Sequence, residues 1–285
     1  MCVIDKPAGC TSHDVVARVR KQLDTPRVGH AGTLDPMATG VLVLGVGAAT
    51  KLLTFITGVS KTYEARIRFG VDTDSLDADG EVTARYDMAG LDPAAVVAAA
   101  ATLTGDILQT PPMVSALRVD GRRLHELARA GIEGERESRP VTVYRFELRP
   151  TDEPLVWDAT VECSSGTYVR SLAADLGQAL GGGAHLAELR RTCVGPFDLD
   201  EATPLDAPAL LAPIEGLRHL EHLQVVDETE VQVRHGRVLD RTTLGTNGDG
   251  PWAVTDAAGE LLAVYEPFRE GRVKPAIVLS TQVAE

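Results

Sequence analysis

The chain has 285 residues, of which 44% are hydrophobic and 24% charged. This composition supports a sizeable core and excludes an intrinsically disordered chain, and the length suggests two domains. The sequence contains no run of about 18 apolar residues, which excludes a membrane-spanning helix. Its net charge of −13 excludes a uniformly basic nucleic-acid-binding protein.

The charge is unevenly distributed along the chain. Residues 1–70 hold nine Lys or Arg and five Asp or Glu, whereas residues 71–116 hold one Arg and eight acidic residues. A local basic cleft on an acidic protein is compatible with RNA binding. An acidic enzyme acting on a small substrate remains the alternative.

The cysteines and the first residues bear on the compartment. No Cys-x-x-Cys pair occurs among the four cysteines, so we expect neither a zinc site nor a disulfide framework. The first residues lack the basic region and long apolar stretch of a signal peptide. Both observations predict a protein of the cytoplasm that does not associate with membranes.

The first predicted elements are a short strand over 2–7 and a helix that follows Thr11 and Ser12. Either of these two residues can cap the helix, and the valines after them recur three and four residues apart. Lys6 ends the strand. It is an ordinary exposed lysine, a phosphate contact or a positioner of a nearby loop.

The stretch 28–40 is rich in glycine and contains Asp35 before Pro36. Proline restricts the preceding residue to extended conformations, so the Asp35 carboxylate sits on a stiff turn. The apolar run 41–44 follows at once and predicts a buried strand. A catalytic carboxylate would be placed this way, and so would a turn aspartate that bonds to its own backbone.

Residues 61–70 alternate and predict a strand with Tyr63 on its apolar face. Tyr63 is either a core aromatic or a ring that stacks on a nucleotide base.

The acid-rich stretch 72–80 fails the EF-hand pattern, so we expect a solvated loop. In 164–170, Tyr168 and Arg170 lie two residues apart, and an extended backbone would point both toward one site.

From about residue 225 the pattern changes to short strands and turns, which predicts a small second domain. Val231 and Val233 alternate and suggest one of its strands. We expect a catalytic domain over 1–222 and a small β domain over 223–285.

Four motifs occur in the first 170 residues: Ile4-Asp5-Lys6-Pro7-Ala8-Gly9, Gly29-His30-Ala31-Gly32-Thr33-Leu34-Asp35-Pro36, Lys61-Thr62-Tyr63 and Ser165-Gly166-Thr167-Tyr168-Val169-Arg170. They resemble those of the TruB family, the tRNA pseudouridine-55 synthases, in that family's order, and the resemblance extends over about the first 200 residues.

The resemblance implies a fold and an activity. The fold is α+β, a pseudouridine-synthase catalytic domain on a mixed, largely antiparallel sheet with flanking helices, plus a PUA-like C-terminal β domain. The activity is isomerisation of uridine to pseudouridine in the T-loop of tRNA. It needs no cofactor or metal, and we expect a monomer whose partner is the tRNA T-stem-loop and no other protein.

The resemblance also implies roles for individual residues. Asp35 is the essential carboxylate, Tyr63 stacks on the flipped uracil and assists loss of the C5 proton, and Arg170 pairs with Asp35. The remaining candidates bind the substrate. His30 wedges into the RNA or holds the flipped nucleotide open. Tyr168 and Leu189 complete the pocket, and Lys6 is a further substrate-binding residue.

Two other classes of function remain open. One is an RNA-binding or chaperone protein without an essential activity. The other is a small-molecule enzyme with an aspartate nucleophile, such as a glycosidase, which needs a second carboxylate. Asp5 and Asp14 are weak candidates for that group.

If the protein binds RNA, we expect a basic surface that makes about four to six phosphate contacts. Its residues would be drawn from Lys6, Arg18, Arg20, Lys21, Lys51, Lys61 and the segment 122–129.

Overall fold

The computed structural model describes residues 1–113 and 136–279, and between them only the backbone of 118–119 and 122–123. In this part of the chain, no helix has the length and apolar character needed to cross a membrane. The basic segment 122–129, from which we expect phosphate contacts, lies outside the described residues, except that the backbone of Arg122–Arg123 pairs with Arg118–Val119.

The structure is rich in strands, with helices distributed between them. In chain order the strands are β1 (Cys2–Lys6), β2 (Val28–His30), β3 (Thr39–Val46), β4 (Lys61–Phe69), β5 (Val71–Thr73), β6 (Val82–Arg85), β7 (Gly105–Gln109), β8 (Arg118–Val119), β9 (Arg122–Arg123), β10 (Arg139–Pro150), β11 (Val156–Cys163), β12 (Ala184–Val194), β13 (Phe197–Asp198), β14 (Thr203–Pro204), β15 (Glu221–Gln224), β16 (Leu239–Asp240), β17 (Trp252–Thr255), β18 (Leu261–Pro267) and β19 (Arg272–Val278). The α-helices are α1 (Ser12–Gln22), α2 (Leu53–Thr57), α3 (Pro93–Thr102), α4 (Val169–Ala179), α5 (Asp227–Arg234) and α6 (Arg241–Leu244).

Ten strands form the main sheet, in the order β14-β1-β3-β12-β4-β11-β10-β7, with β2 paired to β3 and β13 to β12. The β1–β14 and β3–β12 pairs are parallel, and the other pairs are antiparallel. This mixed, largely antiparallel sheet with flanking helices confirms the predicted α+β class.

The two halves of the main sheet are buried in different ways. In β4, alternate residues from Tyr63 to Phe69 face a core that α3 and α4 cover, which confirms the alternation expected there. In β3, both faces of the run 41–44 are buried, one against α1 and the other in a core cluster that includes Leu52, Ile56 and residues of the C-terminal sheet. Burial on both faces explains why that run is continuously apolar.

A second sheet, in the order β15-β17-β18-β19-β16, occupies the C-terminal part of the chain. Its core contains Trp252 and Tyr265. The strand expected around Val231 and Val233 is wrong, because both residues lie in α5, where Glu230 and Arg234 form an i,i+4 ion pair that suits a helix.

Gly40 joins three strands in the main sheet. Its backbone pairs with Lys6 on one side and with Arg191 on the other, at a φ of +101°. A Cβ at this position would lie 2.2 Å from the carbonyl oxygen of Arg191, which belongs to the backbone and cannot swing away.

We expect Gly40→Ala to lower the free energy of unfolding by about 3 kcal/mol or more, because steric overlap adds to the strain of a positive φ. Urea denaturation checks this value. Gly47→Ala is the control, since Gly47 has a φ of +59° and open space around its Cβ position. It should lose only about 1–2 kcal/mol. Equal losses in the two variants would contradict the steric argument.

Candidate active site

A cleft of about 240 Å³ opens beside the Asp35 loop. It brings together five of the predicted site residues: Asp35, Tyr63, Tyr168, Arg170 and Leu189. These residues come from the Asp35 loop, from β4 and β12 in the centre of the main sheet, and from the start of α4. Lys6 and His30 do not line the cleft.

A larger groove of about 660 Å³ shares Leu189 with the cleft. Its walls carry five carboxylates and three guanidinium groups. One of the guanidinium groups, that of Arg66, forms ion pairs with the carboxylates of Asp158 and Glu188. The excess of acid suits an RNA strand poorly, so the smaller cleft is the better candidate site.

Asp35 lies beside a buried cation. One carboxylate oxygen is 3.0 Å from Nε of Arg170, and the Asp35 side chain remains 35% exposed, so a substrate can still reach it. Burial raises the pKa of Asp35 above its ordinary value, and the Arg170 guanidinium opposes that rise. The turn therefore presents a carboxylate whose charge depends on its neighbours.

Arg170 also pairs with Asp77, which the sequence reasoning did not single out. The Arg170 side chain is 4% exposed, and one of its terminal nitrogens lies 3.3 Å from the Asp77 carboxylate and donates to the carbonyl of Ser75. The prediction of a solvated acidic loop over 72–80 is therefore wrong for Asp77, whose carboxylate is buried against this cation.

Tyr168 and Arg170 line the same cleft. The extended backbone expected for them holds at Tyr168 but is wrong for Arg170. Helix α4 begins at Val169, with Tyr168 as its N-cap residue, so Arg170 lies in the first helical turn. Gln109 fixes Tyr168 from β7, since its side chain accepts from the Tyr168 N–H and donates to the Tyr168 carbonyl.

Tyr63 is buried at the floor of the cleft, opposite Arg191 in the strand register. Burial raises the pKa of its hydroxyl, and the positive charge of Arg191 opposes the rise. The net direction is upward, so Tyr63 is a neutral phenol at neutral pH.

Two further cations beside the cleft, Arg191 and Lys61, are held by backbone carbonyls. Arg191 is 1% exposed and donates to the carbonyls of Val41 and Gly32. Lys61 is also buried, and burial lowers its pKa to about 8. Its ammonium donates to two carbonyls, so Lys61 does not add to an exposed basic surface.

Lys6 is fully buried, and its ammonium donates to the carbonyls of Pro7 and, at 3.4 Å, Pro36. Of the roles considered for Lys6, this geometry favours the positioner of a loop over an exposed contact.

His30 is partly buried in β2, and its ring packs edge-to-face against that of His13, with 5.5 Å between the ring centroids. Burial lowers the pKa of His30, which favours the neutral imidazole.

The weak candidates for a second catalytic carboxylate serve other purposes. Asp5 forms two hydrogen bonds with the guanidinium of Arg190, and Asp14 completes the capping box of α1 with Thr11. Among the described residues, no group of three His, Cys, Asp or Glu side chains could hold a metal ion.

Two family models match the chain. The model described as TruB family pseudouridylate synthase (N terminal domain) matches residues 20–169, and that of the tRNA pseudouridylate synthase B C-terminal domain matches residues 170–212. Together they cover the sequence that carries Asp35, Tyr63, Arg170 and Leu189.

Curated relatives are similar over nearly their whole length. The chain is 53% identical to a tRNA pseudouridine synthase B of Paenarthrobacter aurescens, over 93% of this chain and 90% of the relative. It is 48% identical to the protein of the same name from Corynebacterium aurimucosum, over 93% and 91%.

Solved structures share the fold. A chain from an H/ACA RNP bound to a substrate RNA containing 2′-deoxyuridine superposes with a TM-score of 0.73 at 25% identity, over 98% of this chain and 85% of the other. A chain from a Cbf5-Nop10-Gar1 complex gives 0.72 at 26%, over 98% and 84%. With a family model over more than half its length and relatives this similar, the chain belongs to the TruB family of pseudouridylate synthases.

Proposed function

We propose that this protein isomerises uridine to pseudouridine at position 55, in the T-loop of tRNA, with Asp35 as the essential carboxylate. The observation that carries the proposal is the Asp35–Arg170 ion pair at the wall of a narrow cleft that also contains Tyr63. The names of the relatives support the reaction and the choice of tRNA.

The size of the cleft supports a single nucleotide as its occupant. Its volume of about 240 Å³ is below the ~300–1,000 Å³ of pockets for drug-sized ligands. A uridine within a folded RNA must therefore leave its stack and enter alone. Tyr63 then stacks on one face of the uracil, and Leu189 and Tyr168 complete the pocket.

The reaction breaks the bond between N1 of uracil and C1′ of ribose, rotates the base, and joins C5 to C1′. Asp35 attacks the ribose or the uracil covalently, or abstracts a ribose proton. Arg170 keeps Asp35 ionised and oriented for this step. Tyr63 enters the reaction as a neutral phenol, because burial raises the pKa of its hydroxyl. It assists loss of the C5 proton as a hydrogen-bonding group, and the proton passes to solvent.

The positions of His30 and Lys6 support their proposed roles. His30 holds the flipped nucleotide open from outside the cleft, and Lys6 supports the substrate indirectly by holding the Pro36 carbonyl. The chain acts as a cytoplasmic monomer on the T-stem-loop, with a catalytic domain over 1–222 and a PUA-like domain over 223–285. The four free cysteines support a reducing compartment.

The proposal is tested by mapping pseudouridine by mass in an unmodified tRNA after incubation with the protein. We expect Asp35→Asn to reduce turnover by at least about 10³-fold, because an amide can act neither as nucleophile nor as base, while tRNA affinity stays within about threefold. An Asn variant that kept a tenth of the wild-type rate would rule out the essential role of Asp35.

Arg170→Lys separates charge from geometry. Lysine keeps the positive charge but cannot place one nitrogen on Asp35 and another on Asp77, as Arg170 does. We expect the single-turnover rate to fall about 10²-fold with only modest loss of tRNA affinity in a filter-binding assay. Arg66→Lys, on the outer face of the sheet, is the control. A wild-type rate in Arg170→Lys would exclude the geometric role.

Because Lys6 and Lys61 are buried, we expect fewer phosphate contacts than the sequence suggested. The slope of log K against log salt for tRNA should lie between about −2 and −4, which corresponds to three or four contacts. A titration series from low to high salt measures it. A slope near zero would favour a small-molecule enzyme, and one near −10 would reveal a basic surface that the described residues lack.

A further inference from the structure

Ser12 makes an unusual contact with the Asp35 loop. Its side chain is 0% exposed, and its hydroxyl accepts a hydrogen bond from the Leu34 N–H at 2.8 Å and donates one to the Leu34 carbonyl at 3.1 Å. One hydroxyl thus binds both polar groups of the residue immediately before Asp35. Such a contact fixes that residue in position and in rotation.

The frame that carries Ser12 is itself rigid. Ser12 is the first residue of α1, and Thr11 and Asp14 cap this helix with reciprocal hydrogen bonds. The valines of α1 pack into the core under β1 and β3. The hydroxyl is therefore presented from a fixed helix end.

The segment before α1 holds the other side of Asp35. The Gly9 N–H donates to the carbonyl of Pro36 at 2.9 Å. Asp35 is thus flanked by one residue tied to Ser12 and one tied to Gly9. His13, the neighbour of Ser12, also touches the loop through its ring contact with His30.

We propose that Ser12 is a positioning residue for catalysis, whose hydroxyl sets the Leu34 peptide so that the Asp35 carboxylate meets Arg170 and the substrate. This inference rests on the proposed function. A short side chain that both donates and accepts is needed at this position, and alanine supplies neither group. Without the hydroxyl the loop can shift, and a displacement of about 1 Å can cost about 10²-fold in rate.

The test compares Ser12→Ala with Thr203→Val in the full-length protein. Thr203 is a matched control in β14, since its hydroxyl donates to the carbonyl of Val3 and accepts from the N–H of Ala209. For Ser12→Ala we expect kcat on tRNA to fall about 10- to 100-fold, with KM within threefold of wild type. Thr203→Val should show a similar drop in Tm and a wild-type kcat.

A kcat for Ser12→Ala within twofold of wild type would overturn the inference, and so would an equal loss of kcat in Thr203→Val. If Ser12→Ala does not fold, Ser12→Cys decides the question. The cysteine thiol is a weak hydrogen-bond donor and acceptor, so a folded Ser12→Cys variant should lose part of the wild-type kcat. A wild-type kcat in this variant would contradict the inference. A wild-type protein that is inactive on tRNA would instead refute the proposed function, and the Ser12 inference with it.

Discussion

The buried guanidinium of Arg170 between two carboxylates is the interaction on which the cleft depends. A charge removed from water is strongly destabilising unless it is paired, so the buried guanidinium of Arg170 requires its carboxylate partners. In return, it favours the ionised form of Asp35. In the proposed reaction the charge of Asp35 changes, whether the carboxylate forms a bond or takes up a proton. Asp77 gives Arg170 a second carboxylate partner at 3.3 Å, so the cation does not depend on Asp35 alone. On the proposed mechanism, the second carboxylate would keep the cation paired while the first reacts.

Charge around the cleft is opposite in sign to that of the whole protein. Three cations, Lys61, Arg170 and Arg191, and one carboxylate, that of Asp35, line the cleft among the described residues, in a chain of net charge −13. Low-dielectric walls focus such a field into the cleft. The surrounding acid would weaken non-specific attraction of RNA, while the cleft retains a local attraction for one nucleotide and its phosphates. This arrangement favours recognition by shape and by the flipped base.

The sequence predicted what local chemistry determines and missed what distant contacts determine. The Asp-Pro turn, the alternation of β4 and the continuous apolar run of β3 are written in neighbouring residues, and the structure has all three. Asp77 looks like part of a solvated loop because the cation that buries it is 93 residues away in the chain. Lys6 and Lys61 look like surface cations because their burial comes from the fold, although the carbonyls of Pro7 and Val59 that they bind lie close in the sequence. Ser12 looks like a helix cap, and only the fold brings its hydroxyl to Leu34.

The strand order of the main sheet constrains when the protein can become active during its synthesis. Strands β3 and β4 are close in sequence but do not pair, because β12, made much later, lies between them. Its pairing with β3 is parallel and highly non-local, which is the slow kind of contact in folding. The Asp35 turn and Tyr63 therefore leave the ribosome long before Leu189 and Arg191 arrive to join them. A nascent chain that ends before β12 has the proposed catalytic carboxylate but lacks Leu189 and Arg191 of the cleft wall. It also exposes two strand edges that a chaperone or the rest of the chain must cover.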